Sequence, residues 1–195
     1  MAFAPLPHTA AWRHVGAQDG FESVVFREAA SGYVIDGHTA AVEDGEPWAV
    51  HYTLDVDDEW CTQQCFVRSW SALGALETLV TRDPAGHWRV DGVLVPELEG
   101  CLDVDLEASA CTNLLPVRRA RAAVGKPTDA PAAYVHAPGL EIERLEQTYV
   151  RLARNDDDDV VRFEYRAPRF GYDDELEFGA DGLVVEYPGI ATRLV

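Results

Sequence analysis

The residues best suited to chemistry are two aspartate pairs with the same spacing, Asp55 with Asp57 and Asp103 with Asp105. Side chains two positions apart on a strand share a face, with roughly 6.5 to 7 Å between their Cα atoms. That separation overlaps the range of the acid and base of an inverting glycosidase. However, an acid and a base need unlike environments, and neighbours on one wet strand face share an environment. We therefore expect solvated or ion-paired aspartates, and Glu22, Asp103 and Asp105 are the candidates if the protein is a carboxylate-dependent hydrolase of a sugar or ester.

Other catalytic and metal-binding patterns are missing from the sequence. It contains no GxSxG elbow, Walker A loop, dinucleotide glycine fingerprint or HExxH motif. Its cysteines fit no paired zinc knuckle, and its six histidines are scattered singly. We predict no catalytic residue, no metal site and no cofactor, and we expect small, buried, reduced thiols at Cys61, Cys65, Cys101 and Cys111.

Length and charge limit the class of protein. The 195 residues suffice for one sizeable core, so we predict a single domain over 1–195. Sixteen Lys and Arg against 34 Asp and Glu give a net charge of −18, which repels nucleic acid. No apolar run approaches the roughly 20 residues that a membrane-spanning helix needs, and the first residues do not resemble a secretory signal. We expect a cytoplasmic protein with no integral membrane association.

The chain matches itself in three ordered blocks, which predicts an internal repeat. VFREAASGYVIDG at 25–37 resembles VTRDPAGHWRVDG at 80–92, and LDVD occurs at both 54–57 and 102–105. CTQ followed by VR at 61–68 then resembles CTN followed by VR at 111–118. We therefore predict two copies of one unit, at about 25–68 and 80–119.

Apolar residues alternate with polar ones along much of the chain, as is typical of antiparallel strands with one buried face. Trp48, Val50, Tyr52, Leu54 and Val56 form the clearest series. Turn residues at 83–86 and 179–182 predict hairpins, and 140–152 is compatible with either helix or strand. The sequence predicts an all-β fold with little helix: a curved antiparallel β-roll or barrel-like sheet, with C-terminal hairpins at 134–195.

Arg118, Arg119 and Arg121 form the one dense basic cluster of this acidic sequence. They could pair with Asp103 and Asp105, or they could hold a polar or anionic head group. Neighbours on a strand face opposite ways, so only one of Arg118 and Arg119 should enter a cleft. Because Arg118 matches Arg68 of the first copy, we predict a structural, carboxylate-paired Arg118 and a ligand-directed Arg119.

Several motifs together resemble the bacterial family known as putative glycolipid-binding. They are Trp12-Arg13, Trp60, CLDVDL at 101–106, TNLLPVRR at 112–119, QTY at 147–149 and DGLVVEYPG at 181–189. The sequence departs from the family pattern at Cys111 and Ala120. The resemblance implies a curved all-β roll with internal repetition and a function in ligand binding.

Our leading hypothesis is non-enzymatic binding of an amphipathic small molecule, glycolipid-like or lipid-like, on an aromatic-lined concave β surface. Arg118 and Arg119 would meet the head group and Asn113 would orient it. The alternatives are the hydrolase and a self-associating interaction module, so a homo-oligomer is also considered. The predicted ligand-binding residues are Trp12, Arg13, Glu22, Tyr52, Trp60, Asn113, Arg118, Arg119, Tyr149 and Tyr187.

Overall fold

A computed structural model of the chain describes residues 3–120, 123–153 and 160–195. Arg121 and the acidic run at 156–159 lie outside the described residues. The predicted all-β class is confirmed, since the described residues form seventeen strands and one short α-helix. The strands are β1 (Thr9–His14), β2 (Gln18–Glu28), β3 (Tyr33–Glu43), β4 (Glu46–Val56), β5 (Thr62–Ser71), β6 (Gly74–Arg82), β7 (Trp88–Val90), β8 (Val93–Leu94), β9 (Asp103–Leu106), β10 (Pro127–Asp129), β11 (Ala132–Val135), β12 (Ile142–Leu145), β13 (Thr148–Arg151), β14 (Val161–Ala167), β15 (Tyr172–Phe178), β16 (Val184–Tyr187) and β17 (Ala191–Arg193). The helix is α1 (Leu114–Arg119), and short 3-10 helices cover Pro96–Leu98, Cys111–Asn113 and Pro168–Phe170.

Fourteen strands form one curved, antiparallel sheet that does not close into a barrel. Its order is β10-β13-β14-β15-β16-β17-β1-β2-β3-β4-β5-β6-β7-β8. Most neighbours in space are therefore also neighbours in sequence. Strands β1 and β17 come from opposite ends of the chain and pair with each other, with Trp12 opposite Arg193. This pair joins strands β1–β8 to strands β10 and β13–β17.

The alternating sequence pattern explains which face of this sheet is buried. In β4, Trp48, Val50, Tyr52, Leu54 and Val56 are all buried, and the residues between them are not. A period of two places one set of side chains on the inner face and the other on the outer face. The same alternation in β2 places the carboxyl group of Glu22 on the inner face, among apolar side chains.

A second sheet of three strands, in the order β12-β11-β9, lies against the inner face of the large sheet. β9 pairs with β11 in parallel, and all four residues of each strand are buried. Hydrogen bonds fix this layer in place: the Thr62 hydroxyl accepts from the Val104 amide at 3.0 Å, and the Thr39 hydroxyl donates to the Ala108 carbonyl. Residues 103–113 are consequently enclosed between strands on several sides.

Turns and hairpins follow the sequence predictions closely. β6 and β7 form a hairpin around residues 83–87, and β15 and β16 form another around 179–183. The ambiguous segment 140–152 adopts two strands, β12 and β13. Thr148, Tyr149 and Val150, which favour strands, lie in β13.

The structure does not show the predicted internal repeat. The first block corresponds to a hairpin and the second to a strand in both segments, but the third block diverges. Residues 62–68 belong to the long strand β5, whereas 111–119 form a 3-10 helix followed by α1. The physical reason is the patterning: residues 62–68 alternate in burial, while 114–117 are consecutive apolar residues that are all buried.

The buried apolar side chains form one continuous cluster that includes Trp12, Trp88, Phe163 and Phe178. All four cysteines are buried free thiols within or beside it. No helix of the described residues is both long enough and apolar enough to cross a membrane.

Candidate functional site

A cavity of about 230 Å³ lies between the small sheet and the β14–β16 part of the large sheet. Val15 and Ala17, between β1 and β2, Gln18, at the start of β2, and Gly189 and Ile190, between β16 and β17, contribute to its wall. Its polar lining comes from Gln18, Glu43, Asp105, Glu107, Ser109 and Asn113. Its aromatic lining comes from Tyr134, Tyr165, Phe170, Tyr172 and Tyr187.

The aromatic rings that line the cavity, called here the aromatic wall, pack in two groups. The Tyr165, Tyr172 and Tyr187 rings pack together, with centroids 5.3 to 5.9 Å apart. Tyr134 contacts Phe170 at 5.1 Å. Such rings offer flat apolar faces to a ligand while their edges pack against one another.

Hydrogen bonds hold the tyrosine rings in position. The Tyr165 hydroxyl donates to Gln147 Oε1 at 2.7 Å, and the Tyr172 hydroxyl donates to the Pro188 carbonyl at 3.0 Å. Burial raises the pKa of Tyr165 and of Tyr187 well above the ordinary tyrosine value. These phenols therefore remain neutral throughout the physiological pH range, and the cavity gains no negative charge from them.

Three carboxyl groups line the cavity in different surroundings. Asp105 is only 9% exposed, and its Oδ1 accepts a hydrogen bond from the Thr112 hydroxyl at 2.9 Å. Burial, opposed by that bond and reinforced by Asp103 and Glu107, raises the pKa of Asp105 to about 6. Glu107 is more exposed and accepts a hydrogen bond from the Ala137 amide at 2.8 Å. Burial also raises the pKa of Glu43.

Behind the cavity, a buried network is centred on Glu22. Its Oε1 accepts from the hydroxyls of Tyr52, at 2.8 Å, and Ser109, and its Oε2 accepts from the Ala110 amide at 2.8 Å. His14 Nε2 lies 3.6 Å from the same Oε2. Because Ser109 lines the cavity, this network anchors the turn that follows β9 to strand β2.

The ten residues predicted to bind a ligand do not form a single site. Asn113 and Tyr187 line the cavity, and Tyr149 lies behind it, donating from its hydroxyl to Asn113 Oδ1 at 2.8 Å. Glu22 and Tyr52 reach the cavity only through Ser109. Trp12 is buried, with its indole N–H on the Val184 carbonyl at 2.8 Å.

The other four predicted residues, like Trp12, Glu22, Tyr52 and Tyr149, do not belong to the cavity lining. Arg13 is exposed and lies 3.8 Å from Asp19. Trp60 stacks on Tyr33, and the Arg118 guanidinium lies 4.3 Å from the Trp60 ring centroid.

The carboxylate pairing predicted for Arg118 is found at Arg119 instead. They lie on α1 and not on a strand, so strand alternation does not apply to them. Arg119 forms a two-pronged ion pair with Asp103, including a contact of 2.6 Å, and it also donates to the Trp60 carbonyl. Arg118 donates to the main-chain carbonyls of Asp181 and Ala4. The carboxylate-paired residue is therefore Arg119.

Asp103 and Asp105 are not solvated positions. Asp103 is 1% exposed and Asp105 is 9% exposed, because β9 is covered on both faces. Ion pairing was correctly predicted only for Asp103. Asp55, by contrast, lies on the outer part of β4 and accepts from the Gln64 amide at 2.7 Å.

Sequence reasoning did not select Glu43, Glu107, Tyr134, Tyr165, Phe170 and Tyr172. Tyr165 could have been found, because Val161, Phe163, Tyr165 and Ala167 follow the period of a half-buried strand. Glu107 continues the face of Asp105 by the same rule. The sequence carries no sign that Phe170 would approach Tyr134, because that contact joins distant segments.

The fold and this cavity define a class of protein: a curved β-sheet wrapped over an inner layer, with a cavity lined by aromatic and acidic side chains. A model of the family described as putative glycolipid-binding matches residues 9–193. The chain belongs to this family, which confirms the resemblance found from the sequence motifs.

Solved structures that resemble the chain include the following two. A DUF1089 family protein from Pseudomonas aeruginosa is 28% identical, with a TM-score of 0.74 over 89% of this chain and 92% of that chain. A beta-barrel-like protein of the DUF1849 domain of unknown function, from Brucella abortus, is 13% identical, with a TM-score of 0.52 over 99% of this chain and 95% of that chain. The second likeness concerns the fold alone. A comparison with curated proteins gives no match.

Proposed function

We propose that the protein binds an amphipathic small molecule in the cavity between its two sheets, without converting it chemically. The observation that carries this proposal is one cavity lined by aromatic rings and by three carboxyl groups, of which Asp105 is buried, because it offers apolar and polar contacts to one ligand. The family description supports a lipid-like ligand. Binding at this cavity replaces the head-group roles first considered for Arg118 and Arg119, whose terminal guanidinium nitrogens bind protein partners outside the cavity.

The size of the cavity limits what it encloses. Pockets for drug-sized ligands typically measure about 300 to 1,000 Å³. At about 230 Å³, this cavity suits one ring or one head group with a short apolar segment. A longer chain would extend through the opening past Phe170, whose side chain is 49% exposed.

Binding can be tested by calorimetric titration with octyl glucoside and octylammonium, which share an alkyl chain. Replacing Phe170 by Ala should weaken binding of a bound probe by about three- to tenfold, because one aromatic face is lost. Phe21→Ala is the matched control, since Phe21 is 57% exposed and absent from the cavity lining. Equal effects of both variants, or no binding of either probe, would refute binding at this cavity.

A second experiment fills the cavity. Ala167 lines it and is buried on β14, so Ala167→Phe should abolish binding of both probes. Ala40 is exposed on β3, so Ala40→Phe adds the same ring outside the cavity and should leave affinity unchanged. Circular dichroism of both variants verifies that each remains folded.

A carboxylate-dependent hydrolase is the second candidate, favoured by the unlike environments of Asp105 and Glu107 in one cavity. A buried carboxyl group that holds its proton could act as an acid and a more exposed carboxylate as a base. Release of nitrophenol from nitrophenyl glycosides and esters tests this candidate. Activity that is lost in both Asp105→Asn and Glu107→Gln would support it, and activity unchanged in either variant would exclude it.

A further inference from the structure

The polar lining of the cavity is dominated by hydrogen-bond acceptors. Glu43, Asp105 and Glu107 contribute three carboxyl groups, and the described lining contains no Arg, Lys or His. These three carboxyl groups belong to no group of described side chains that could hold a metal ion. An anionic head group entering here would meet like charge on several sides and no cation.

Asp105 has an unsatisfied hydrogen-bonding capacity. Its Oδ1 accepts from the Thr112 hydroxyl, and its Oδ2 has no hydrogen-bond partner within the described part of the chain. Oδ2 is not among the fully buried described side-chain atoms without a partner, so it is open to the cavity, where a side chain that is nine-tenths buried keeps only part of its hydration. A ligand that donates a hydrogen bond to Oδ2 would replace the lost hydration, and a positively charged donor would do so most strongly.

The aromatic wall is suited to the same kind of ligand. The Tyr165 and Tyr187 rings are close enough to Asp105 that its charge raises the pKa of both phenols. Aromatic faces attract cations through the ring quadrupole, and the attraction grows in a desolvated site. An ammonium group next to Asp105 would therefore meet a carboxylate and tyrosine rings together.

We propose that this cavity selects ligands with a positively charged amine head group, held by Asp105 and the tyrosine wall, and rejects phosphate, sulfate and carboxylate head groups. This inference rests on the proposed binding function and deepens it. The net charge of −18 acts in the same direction at longer range, since it attracts cationic ligands and repels anionic ones.

Three probes with the same alkyl chain and different head groups test the proposal: octylammonium, octyl glucoside and octyl sulfate. By calorimetry at pH 7.5 and about 0.15 M salt, we expect octylammonium to bind at least about tenfold more tightly than octyl glucoside. We expect no binding of octyl sulfate. Equal or tighter binding of the glucoside would overturn the amine inference and leave the proposed function intact. Failure of all three probes would overturn both.

Variants separate the site from general attraction to an acidic protein. Asp105→Asn should weaken octylammonium binding by about tenfold and change octyl glucoside binding by less than about twofold. Asp19→Asn removes the same charge from an exposed side chain outside the cavity and should have no measurable effect. If both variants weaken octylammonium binding equally, the attraction is general and the inference is wrong.

The wild-type protein gives an independent test through pH. Lowering the pH from 7.5 to 5 protonates Asp105 and should weaken octylammonium binding several-fold, with little effect on the glucoside. The titratable or charged groups that surround Asp105 or share its cavity are Asp103, Glu43, Glu107, His136, Tyr134, Tyr149, Tyr165, Tyr172 and Tyr187. The five tyrosines stay neutral and Asp103 stays paired with Arg119, which leaves Glu43, Glu107 and His136 as the other groups to separate. Glu43→Gln, Glu107→Gln and His136→Gln should each retain the pH response if Asp105 causes it, and loss of the response in any one of them would contradict that assignment.

Discussion

At the scale of single residues, two aspartates of one strand illustrate how burial creates different chemistry. Asp103 and Asp105 both lie on β9, but Asp103 is paired with Arg119 and Asp105 lines the cavity. A buried ion pair contributes little net stability as a pair, yet breaking it leaves an uncompensated charge. Substitutions at the Arg119–Asp103 pair and at Asp105 should therefore change the free energy of unfolding in different ways.

Replacing Arg119 by Ala should reduce the free energy of unfolding by about 3 to 5 kcal/mol, because Asp103 remains buried without its partner. The double variant Arg119→Ala with Asp103→Asn should recover part of that loss. Chemical denaturation measures both. Arg118→Ala removes bonds to main-chain carbonyls and the contact with the Trp60 ring but leaves no carboxylate unpaired, so it should cost less than Arg119→Ala, and the reverse order would contradict the described pairing.

Asp105 should make the protein less stable as pH rises from about 4 to about 6. In that window the unfolded chain has already lost the proton that the folded protein, with the pKa of Asp105 raised to about 6, still holds. Above pH 6 the folded protein carries the full penalty, about 2 to 3 kcal/mol. Asp105→Asn should therefore gain stability relative to wild type between pH 4 and pH 7, as followed by urea denaturation. A constant difference across this range would contradict the prediction.

At the scale of elements, the local sequence pattern predicted the strands well. It failed where the structure depends on contacts between segments that are distant in the sequence. Alternation identified β4, and turn residues identified two hairpins. Helix α1 was missed because matched residues in 61–68 suggested a strand. The cavity could not be located, because its walls come from β9, β11 and β14–β16, and no sequence signal gives their packing.

A glycine in β3 shows how closely two neighbouring strands fit. A Cβ atom added at Gly37 would overlap the ring of Tyr52, which lies opposite it on β4. Gly37→Ala should destabilise the protein by about 1 to 3 kcal/mol through overpacking, as measured by thermal unfolding. The same substitution in a Tyr52→Leu background should cost much less, and equal costs in both backgrounds would show that the ring is not responsible.

At the scale of the whole molecule, the dominant property is the excess of negative charge. A net charge of −18 destabilises a compact state through self-repulsion, and salt screens that repulsion. Raising the salt concentration from about 0.01 M to about 0.3 M at pH 7 should raise the melting temperature. At about pH 4.5, where many carboxyl groups are protonated, the increase should be much smaller. An equal increase at both pH values would point to another cause.

The pairing of β1 with β17 also has a consequence for how the protein is made. Strands β1 to β8 are each laid down beside the previous strand, so they can pair as the ribosome produces them. β1 has one partner early, β2, but its other edge receives β17 only after about 180 further residues have been synthesised. During that interval the nascent chain presents an open strand edge. Such an edge can pair with another chain and lead to aggregation, which chaperones prevent.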